Sequence, residues 1–148
     1  MPLLDRRLRE PLEQAVSDYR GRNWRARHAR DLSDYACHPC GILSDGTFAV
    51  FVKVSQALHA ETQFEIEAAS LRFLSQEAGV LVPTPIGVVP TAEGTLFVMV
   101  ALEAVERGPR QWREIGTTLA RIHRVTSDHF GFHRDTYFGP FVQDNAPT

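Results

Sequence analysis

A chain of 148 residues, 43% of them hydrophobic and 23% charged, has the size and composition of one globular unit with its own core. A formal net charge of −2 argues against nucleic acid as a partner, and no apolar run approaches the ~20 residues that span a membrane. The N-terminus is charged almost at once and shows no apolar stretch of the kind a secretory signal has, and with two cysteines in the chain we expect a reducing, cytoplasmic setting.

The first part of the chain predicts one helix followed by irregular structure. Apolar residues recur at helical spacing over residues 3–20 and indicate an amphipathic helix: Leu4, Leu8, Leu12, Ala15, Val16 and Tyr19. The polar, arginine-rich residues 20–30 come next, and the sequence DLSDYACHPCGILSDG after them is expected to form loop or edge structure. Asp45-Gly46, within that sequence, is typical of a hairpin turn.

The sequence TFAVFVKV after this turn predicts a strand with two different faces. Alternation places Ala49, Phe51 and Lys53 together on one face, with Lys53 at the end of otherwise apolar surface. Lys53 is the only lysine in a chain that has fifteen arginines. The compact ammonium of lysine and the broad, planar guanidinium of arginine are not interchangeable in a site shaped for the first. Lys53 is therefore a candidate functional residue.

A helix is predicted over residues 61–78. Thr62 and Glu65 have the spacing of a capping box at its start, and Gly79 is typical of a helix end. Glu67 falls within the apolar stripe of this helix. A carboxylate buried without a partner is costly, so Glu67 requires one.

Two more strands and a last helix complete the pattern. VPTPIGVV and TLFVMVAL predict a second hairpin, whose pairing begins near Ile86 because of the prolines before it. GPRQWREIGTTLARIHRVT predicts a helix, and the aromatic, Gly- and Pro-rich tail is expected to be irregular. The order helix, hairpin, helix, hairpin, helix predicts an α+β fold with an antiparallel sheet.

Lys53 and Glu67 both point at apolar surfaces from a consecutive strand and helix, and an ion pair would satisfy both charges. One hypothesis is a phosphate clamp, in which the carboxylate fixes the ammonium and the ammonium holds the phosphates of a nucleotide. The alternative is a salt bridge without a ligand, or two side chains that extend to water.

These elements carry motifs that resemble the fructosamine (ketosamine) kinases, which share the fold of aminoglycoside phosphotransferases and protein kinases. The matching stretches, in family order, are DGTFAVFVKV, FEIEAASLRFL, VPTPIGV, LFVMVAL, WREIGTTLARIHR and FGFHRDTYFGPFVQDNAPT. The resemblance implies a protein-kinase-like N-lobe over residues 1–99, and the hinge with the first C-lobe helix over residues 100–148.

The resemblance also implies roles for individual residues. Lys53 would bind the α- and β-phosphates of ATP, and Glu67 would pair with it. Met99 would lie behind the adenine, and the backbone C=O of Val100 and N–H of Leu102 would meet the adenine edge. Ala49 and Val52 share a strand, and either could face the ring.

The implied cofactors are ATP and Mg²⁺, and the implied acceptor is a fructosamine or similar sugar-amine adduct. The family's catalytic aspartate and metal ligands lie in a later segment of the C-lobe. We therefore expect no catalytic residue and no metal ligand among these residues, and no activity from the 148-residue piece alone.

One departure from the family pattern leaves a second hypothesis open. The turn that should carry a glycine-rich phosphate loop reads DLSDYACHPCG, without a pair of glycines whose amides could approach phosphate closely. The chain would then be a non-catalytic interaction module that kept the lobe and lost the nucleotide. In either case, apolar surface left uncovered around the hinge and last helix is expected to drive homodimerisation.

The C-x-x-C motif at Cys37 and Cys40 has three interpretations. A redox site of this kind opens a helix, whereas a strand is predicted here. A zinc site needs two further ligands, and the chain has no other cysteine. The third interpretation is an incidental pair in the loop on the phosphate side.

Overall fold

The computed structural model describes residues 5–139 and 141–145. The α-helices of this part are α1 (Arg6–Arg20), α2 (Ala60–Glu77) and α3 (Pro109–Ile122). The strands are β1 (His28–Asp31), β2 (Cys40–Ser44), β3 (Ala49–Ser55), β4 (Pro85–Thr91), β5 (Gly94–Val100), β6 (Thr136–Phe138) and β7 (Phe141–Gln143). No helix within these described ranges is long and apolar enough to cross a membrane.

Strands β1 to β5 form one antiparallel sheet in the order β1-β2-β3-β5-β4, and β6 and β7 form a separate hairpin. The register sets Lys53 between Cys40 on β2 and Phe97 on β5. Because partners in register share a face, these side chains lie on the same side of the sheet. The α+β architecture predicted from the sequence is confirmed.

Helices α1 and α2 cover opposite faces of the sheet. On one face, α1 buries Leu8, Leu12 and Val16 against strands β3 and β5, and Trp24 completes this core. The strand residues of this core are Leu43, Val50, Val52, Val54, Leu96 and Val98. Each large apolar side chain buried in this way stabilises the fold by ~1.5–3 kcal/mol.

The opposite face carries a smaller apolar cluster under α2. Phe64 and Ala68 of the helix pack on Phe97 and Met99 of β5, with Phe51 and other half-buried residues at the margin. The rings of Phe64 and Phe97 stack with their centroids 5.6 Å apart. This cluster seats α2 on the face to which Lys53 belongs.

Helix α1 is held by defined ends and by a buried carboxylate. Asp5 caps its start by accepting a hydrogen bond from the N–H of Arg7 at 2.9 Å, and Gly21 ends it at φ +63°. Glu13 is buried, and its carboxylate accepts hydrogen bonds from Arg9 Nε at 2.8 Å and from the N–H of Ala26 at 3.0 Å. These contacts tie the residues after α1 to the helix and direct the chain into β1.

Three elements differ from the sequence prediction. Strand β1 forms within and just after the arginine-rich stretch, with all of its side chains exposed. Helix α2 begins at Ala60 after His59, so Thr62 and Glu65 lie inside the helix and no side chain caps its start. Gly79, at φ +59°, does follow the helix end as predicted. The tail, predicted to be irregular, pairs as the β6–β7 hairpin.

Helix α3 leaves its apolar stripe uncovered. The Trp112, Ile115 and Leu119 side chains that define this stripe are 57%, 41% and 50% exposed, and none of the helix residues is buried. Leu102 and Val105, in the segment that leads to α3, are exposed as well. This part of the chain contributes little to the core formed by the sheet, α1 and α2.

Candidate functional site

The structure brings Lys53 and Glu67 together. Lys53 Nζ lies 2.5 Å from Glu67 Oε1, and the two side chains are 24% and 37% exposed. The pair therefore stands at the edge of the apolar cluster under α2, with one side open. A lysine ammonium has three N–H donors, so two remain for other partners after one is given to Glu67.

Both side chains are positioned by the packing of their own elements. Lys53 lies near the end of β3, on the face that also presents Phe51 to α2. On α2, Phe64 lies three residues before Glu67 and is buried, and Leu71 lies four residues after it and packs against the same cluster. Residues three or four apart share a helix face, so packing these two directs the Glu67 carboxylate toward the sheet and Lys53.

The strand alternation also decides between Ala49 and Val52. Val52 is fully buried in the core under α1, whereas Ala49 lies on the Lys53 face, half-buried. Of the two, Ala49 is therefore the residue that could contact a ligand on the Lys53 side.

The residues predicted to contact adenine lie at the end of β5 and just beyond it. Met99 is buried beside Phe64 and Phe97. The N–H of Val100 donates to the Thr84 carbonyl at 2.9 Å, and the N–H of Ala101 donates to the Ala49 carbonyl at 3.0 Å. Among the backbone hydrogen bonds of the described residues, none uses the N–H of Leu102.

A cavity of about 400 Å³ opens beside the Lys53–Glu67 pair. Its wall comes from four parts of the chain: the β1–β2 connection, Lys53 on β3, one face of α2, and the β6–β7 hairpin. The lining residues are Cys37, His38, Lys53, Gln63, Phe64, Ile66, Glu67, Ser70, Thr136, Tyr137 and Gly139. Lys53 and Glu67 line this cavity, whereas Met99, Val100 and Leu102 do not.

The β1–β2 connection is closed at its base by hydrogen bonds around Ser33. The Ser33 hydroxyl donates to Asp31 Oδ1 at 2.6 Å and accepts from the N–H of Cys40 at 3.1 Å. The hydroxyl and backbone N–H of Ser33 together lower the pKa of the Asp31 carboxyl. Further along, the Pro39 carbonyl accepts from the N–H of Val54 at 2.9 Å. These bonds fix the connection against β3, next to Lys53.

The two cysteines of this connection are free thiols in different environments. Cys37 is exposed and borders the cavity, and Cys40 is buried on β2. Burial raises the pKa of the Cys40 thiol, against the opposing effect of the Lys53 charge. Within the described ranges, no group of three or more His, Cys, Asp and Glu side chains is arranged to hold a metal ion.

Sequence reasoning missed two contributors to the cavity and one motif. His38 was considered only as part of the C-x-x-C motif, and Tyr137 lies in the tail expected to be irregular. The chain also contains one H-x-D tripeptide, His133-Arg134-Asp135. Asp135 Oδ1 accepts from the N–H of Asn145 at 3.0 Å, which closes the hairpin, and Asp135 does not line the Lys53 cavity.

Comparison with known proteins identifies relatives of this chain. A family model described as fructosamine kinase matches residues 9–148. A probable ketoamine kinase of Enterococcus faecium is 37% identical over 83 residues, which are 56% of this chain and 28% of that protein. A probable ketoamine kinase of Synechocystis is 28% identical over 140 residues, which are 94% of this chain and 47% of that protein.

Solved structures show the same fold. The crystal structure of a protein described as a fructosamine-3-kinase, from Haemophilus somnus, superposes with a TM-score of 0.82 at 21% identity, and the match covers 94% of this chain and 47% of that one. A protein of the same description from Thermobifida fusca gives a TM-score of 0.69 at 24% identity, covering 93% and 46% of the two chains. The chain thus spans less than half the length of each of these relatives.

Proposed function

The chain belongs to the fructosamine kinase family, and from this membership we propose that it forms the ATP-binding part of a small-molecule kinase. Residues 1–99 act as the N-lobe, and residues 100–148 as the hinge and the beginning of the C-lobe. The observation that carries the proposal is the ion pair of Lys53 and Glu67, 2.5 Å apart, at the edge of an open cavity.

The geometry of the pair suits a phosphate clamp. Glu67 holds the Lys53 ammonium in one position, which removes part of the entropy that a free lysine side chain loses on binding. The partial burial of both groups lowers the local dielectric, so the attraction between Lys53 and a phosphate is stronger than at a fully exposed site. An ion pair with only a structural role would not require a cavity beside it.

The hinge supplies the complementary half of the nucleotide site. The Val100 and Ala101 N–H groups are committed to Thr84 and Ala49, so the Leu102 N–H is the next donor along the chain. We propose that this N–H and the Val100 carbonyl bind the adenine edge. Met99 then closes the back of the adenine site from within the cluster under α2.

Phosphoryl transfer requires groups beyond this clamp. Mg²⁺ neutralises charge on the transferring phosphates when it is bound, and a carboxylate orients the acceptor hydroxyl. We propose that these ligands and this base belong to the part of its relatives' length that the chain does not span, and that the 148 residues alone do not catalyse transfer. The acceptor, by relation to ketoamine kinases, is a fructosamine or another sugar-amine adduct.

A second function is favoured by one observation, the absence of paired glycines between β1 and β2. A lobe that cannot bring backbone amides close to phosphate could serve as a non-catalytic interaction module. Such a module would keep the α+β core and would not bind ATP.

Titration calorimetry with ATP and Mg²⁺ distinguishes the two functions. We expect the 148-residue chain to bind ATP, and Lys53→Met to weaken binding by about 10- to 100-fold, since hydrogen bonds to charged groups contribute ~1.5–3 kcal/mol. Arg72→Met is the matched control, because Arg72 is an exposed cation on α2 outside the Lys53 cavity. Wild-type affinity in Lys53→Met would contradict the clamp, and no binding by the unmodified chain would favour the interaction module.

A further inference from the structure

His38 is a cavity-lining side chain to which the proposed clamp gives no role. It lies in the β1–β2 connection, half-buried, with its ring nearly perpendicular to the ring of Phe64 on α2, at a centroid distance of 5.7 Å and an interplanar angle of 76°. None of the hydrogen bonds found among the described residues uses its ring nitrogens. The imidazole is therefore held in place by packing, while its polar atoms remain available.

The position of His38 relative to Lys53 is fixed by the sheet. Cys40, two residues after His38, pairs with Lys53 in the β2–β3 register. The carbonyl of the intervening Pro39 accepts a hydrogen bond from the N–H of Val54, the residue that follows Lys53. His38 and Lys53 therefore line the same cavity from adjacent segments of the chain.

Several other polar groups of the cavity are already hydrogen-bonded, and the Gln63 amide and the Tyr137 hydroxyl belong to α2 and to the β6–β7 hairpin. The Ser70 hydroxyl donates to the Ile66 carbonyl at 2.9 Å, and the Thr136 hydroxyl accepts from Asn145 Nδ2 at 2.7 Å. Glu67 is paired with Lys53. The thiol of Cys37, on the same connection as His38, is only a weak donor. His38 is thus the strong side-chain donor that the β1–β2 connection itself brings to the cavity.

The charges nearby do not oppose an anion at this position. Asp31 and Asp34 belong to the same connection, but neither lines the cavity, and Asp31 is occupied by Ser33. The carboxylate that does line it, Glu67, is neutralised by Lys53. A phosphate placed between His38 and Lys53 would meet the Lys53 ammonium, which also contacts Glu67, and an imidazole N–H donor.

We propose that the His38 imidazole donates a hydrogen bond to a phosphate oxygen of the nucleotide, beside Lys53. A side chain here takes the place of the glycine amides that the β1–β2 connection lacks. The inference rests on the proposed ATP-binding function and removes the main objection to it, because phosphate no longer has to approach the backbone of this connection.

His38→Phe tests this role, since phenylalanine keeps an aromatic ring against Phe64 and removes both ring nitrogens. Titrations of the 148-residue chain with ATP and with adenosine, followed by ¹⁵N NMR so that weak binding is measured, give the two affinities. We expect His38→Phe to weaken ATP binding about 10-fold, the size of one charge-assisted hydrogen bond, and to change adenosine binding less than about 2-fold. His38→Gln, which retains a donor, should lose less ATP affinity than His38→Phe. His59→Phe, at an exposed histidine outside the cavity, is the control.

Two results would overturn the inference while leaving the proposed function intact. Unchanged ATP affinity in His38→Phe would show that the imidazole does not contact phosphate. Equal losses of ATP and adenosine affinity would show that His38 only shapes the site. Failure of the unmodified chain to bind either ligand would instead refute the proposed function, and this inference with it.

Discussion

At the scale of single residues, the β2–β3 turn depends on the carboxylate of Asp45. Its Oδ1 accepts hydrogen bonds from the N–H of Thr47 at 2.8 Å and of Phe48 at 2.7 Å, and from the Thr47 hydroxyl at 2.9 Å. Gly46 supplies the positive φ, +98°, that the turn requires. The turn directs the chain into β3 and so sets the register that places Lys53.

These hydrogen bonds make the turn sensitive to acid. The backbone N–H of Thr47, with a smaller effect from that of Phe48, lowers the pKa of Asp45 from 3.8 to about 2. Because the folded-state pKa lies below the unfolded one, the carboxylate stabilises the fold fully above about pH 4, and this contribution is lost as the pH falls toward 2.

Asp45→Ala should therefore be less stable than the unmodified chain at neutral pH, and the difference should shrink as the pH falls from about 4 to about 2. Urea unfolding of both proteins across this pH range measures the difference, and the other carboxyl groups cancel in the comparison. A difference that stayed constant with pH would show that Asp45 contributes to the turn without its charge.

At the scale of elements, sequence patterns predicted those segments whose own residues alternate or repeat. Strand β3 and helix α2 are examples, because each presents one apolar side to the core. Strand β1 has no buried side chain, so its sequence carries no alternation, and only pairing with β2 makes it a strand. The β6–β7 hairpin was missed for the same reason: its strands are three residues each and mostly exposed.

The candidate site divides in the same way. Lys53 and Glu67 were predicted as a pair because each places a charge on an otherwise apolar face. A charge in such a position requires a partner, and the sequence alone shows it. His38 and Tyr137 carry no such conflict, since both lie in polar or irregular sequence. Their place in the cavity depends on contacts between segments far apart in the chain, such as the ring contact of Phe73 on α2 with Phe132 before β6.

Two glycines in different elements should respond to alanine in opposite directions. Gly94, at φ +128° where β5 begins, would place an added Cβ 2.7 Å from the Ser55 carbonyl oxygen, which belongs to the backbone of β3. Gly94→Ala combines this overlap with an unfavourable φ and should destabilise the fold by ~3 kcal/mol or more.

Gly116, inside α3, has open space around it, so Gly116→Ala should stabilise that helix by ~0.5–1 kcal/mol.

Urea unfolding measures the first change, and helical circular dichroism during thermal unfolding reports the second. A small effect of Gly94→Ala would mean that the β4–β5 turn can shift away from β3, and the fixed register of these strands would then be in doubt. A loss of helicity in Gly116→Ala would mean that α3 packs more closely against its surroundings than its exposed residues indicate.

At the scale of the whole molecule, burial is distributed unevenly. The core clusters draw their residues from the sheet, α1, α2 and the α1–β1 connection, whereas α3 exposes its apolar stripe of Trp112, Ile115 and Leu119. Apolar surface of this kind favours association. Homodimerisation through it stays a prediction, and sedimentation equilibrium over a range of protein concentrations tests it directly.

The same unevenness predicts a hierarchy of local stability. Segments with few buried apolar contacts open more readily than the core, so amides of α3 should exchange with solvent through openings at least ~2 kcal/mol lower in free energy than those of β3 and β5. Hydrogen exchange followed by NMR measures the amides of α3 and those of β3 and β5 in one sample. The protein concentration is chosen so that sedimentation shows a monomer. If the amides of α3 were as protected as those of the sheet in the monomer, residues 100–148 would fold as one cooperative unit with residues 1–99. That result would contradict the proposed division of the chain between the two parts. If the division is correct, raising the protein concentration until the chain associates should increase protection in α3 first, because that is where the uncovered surface lies.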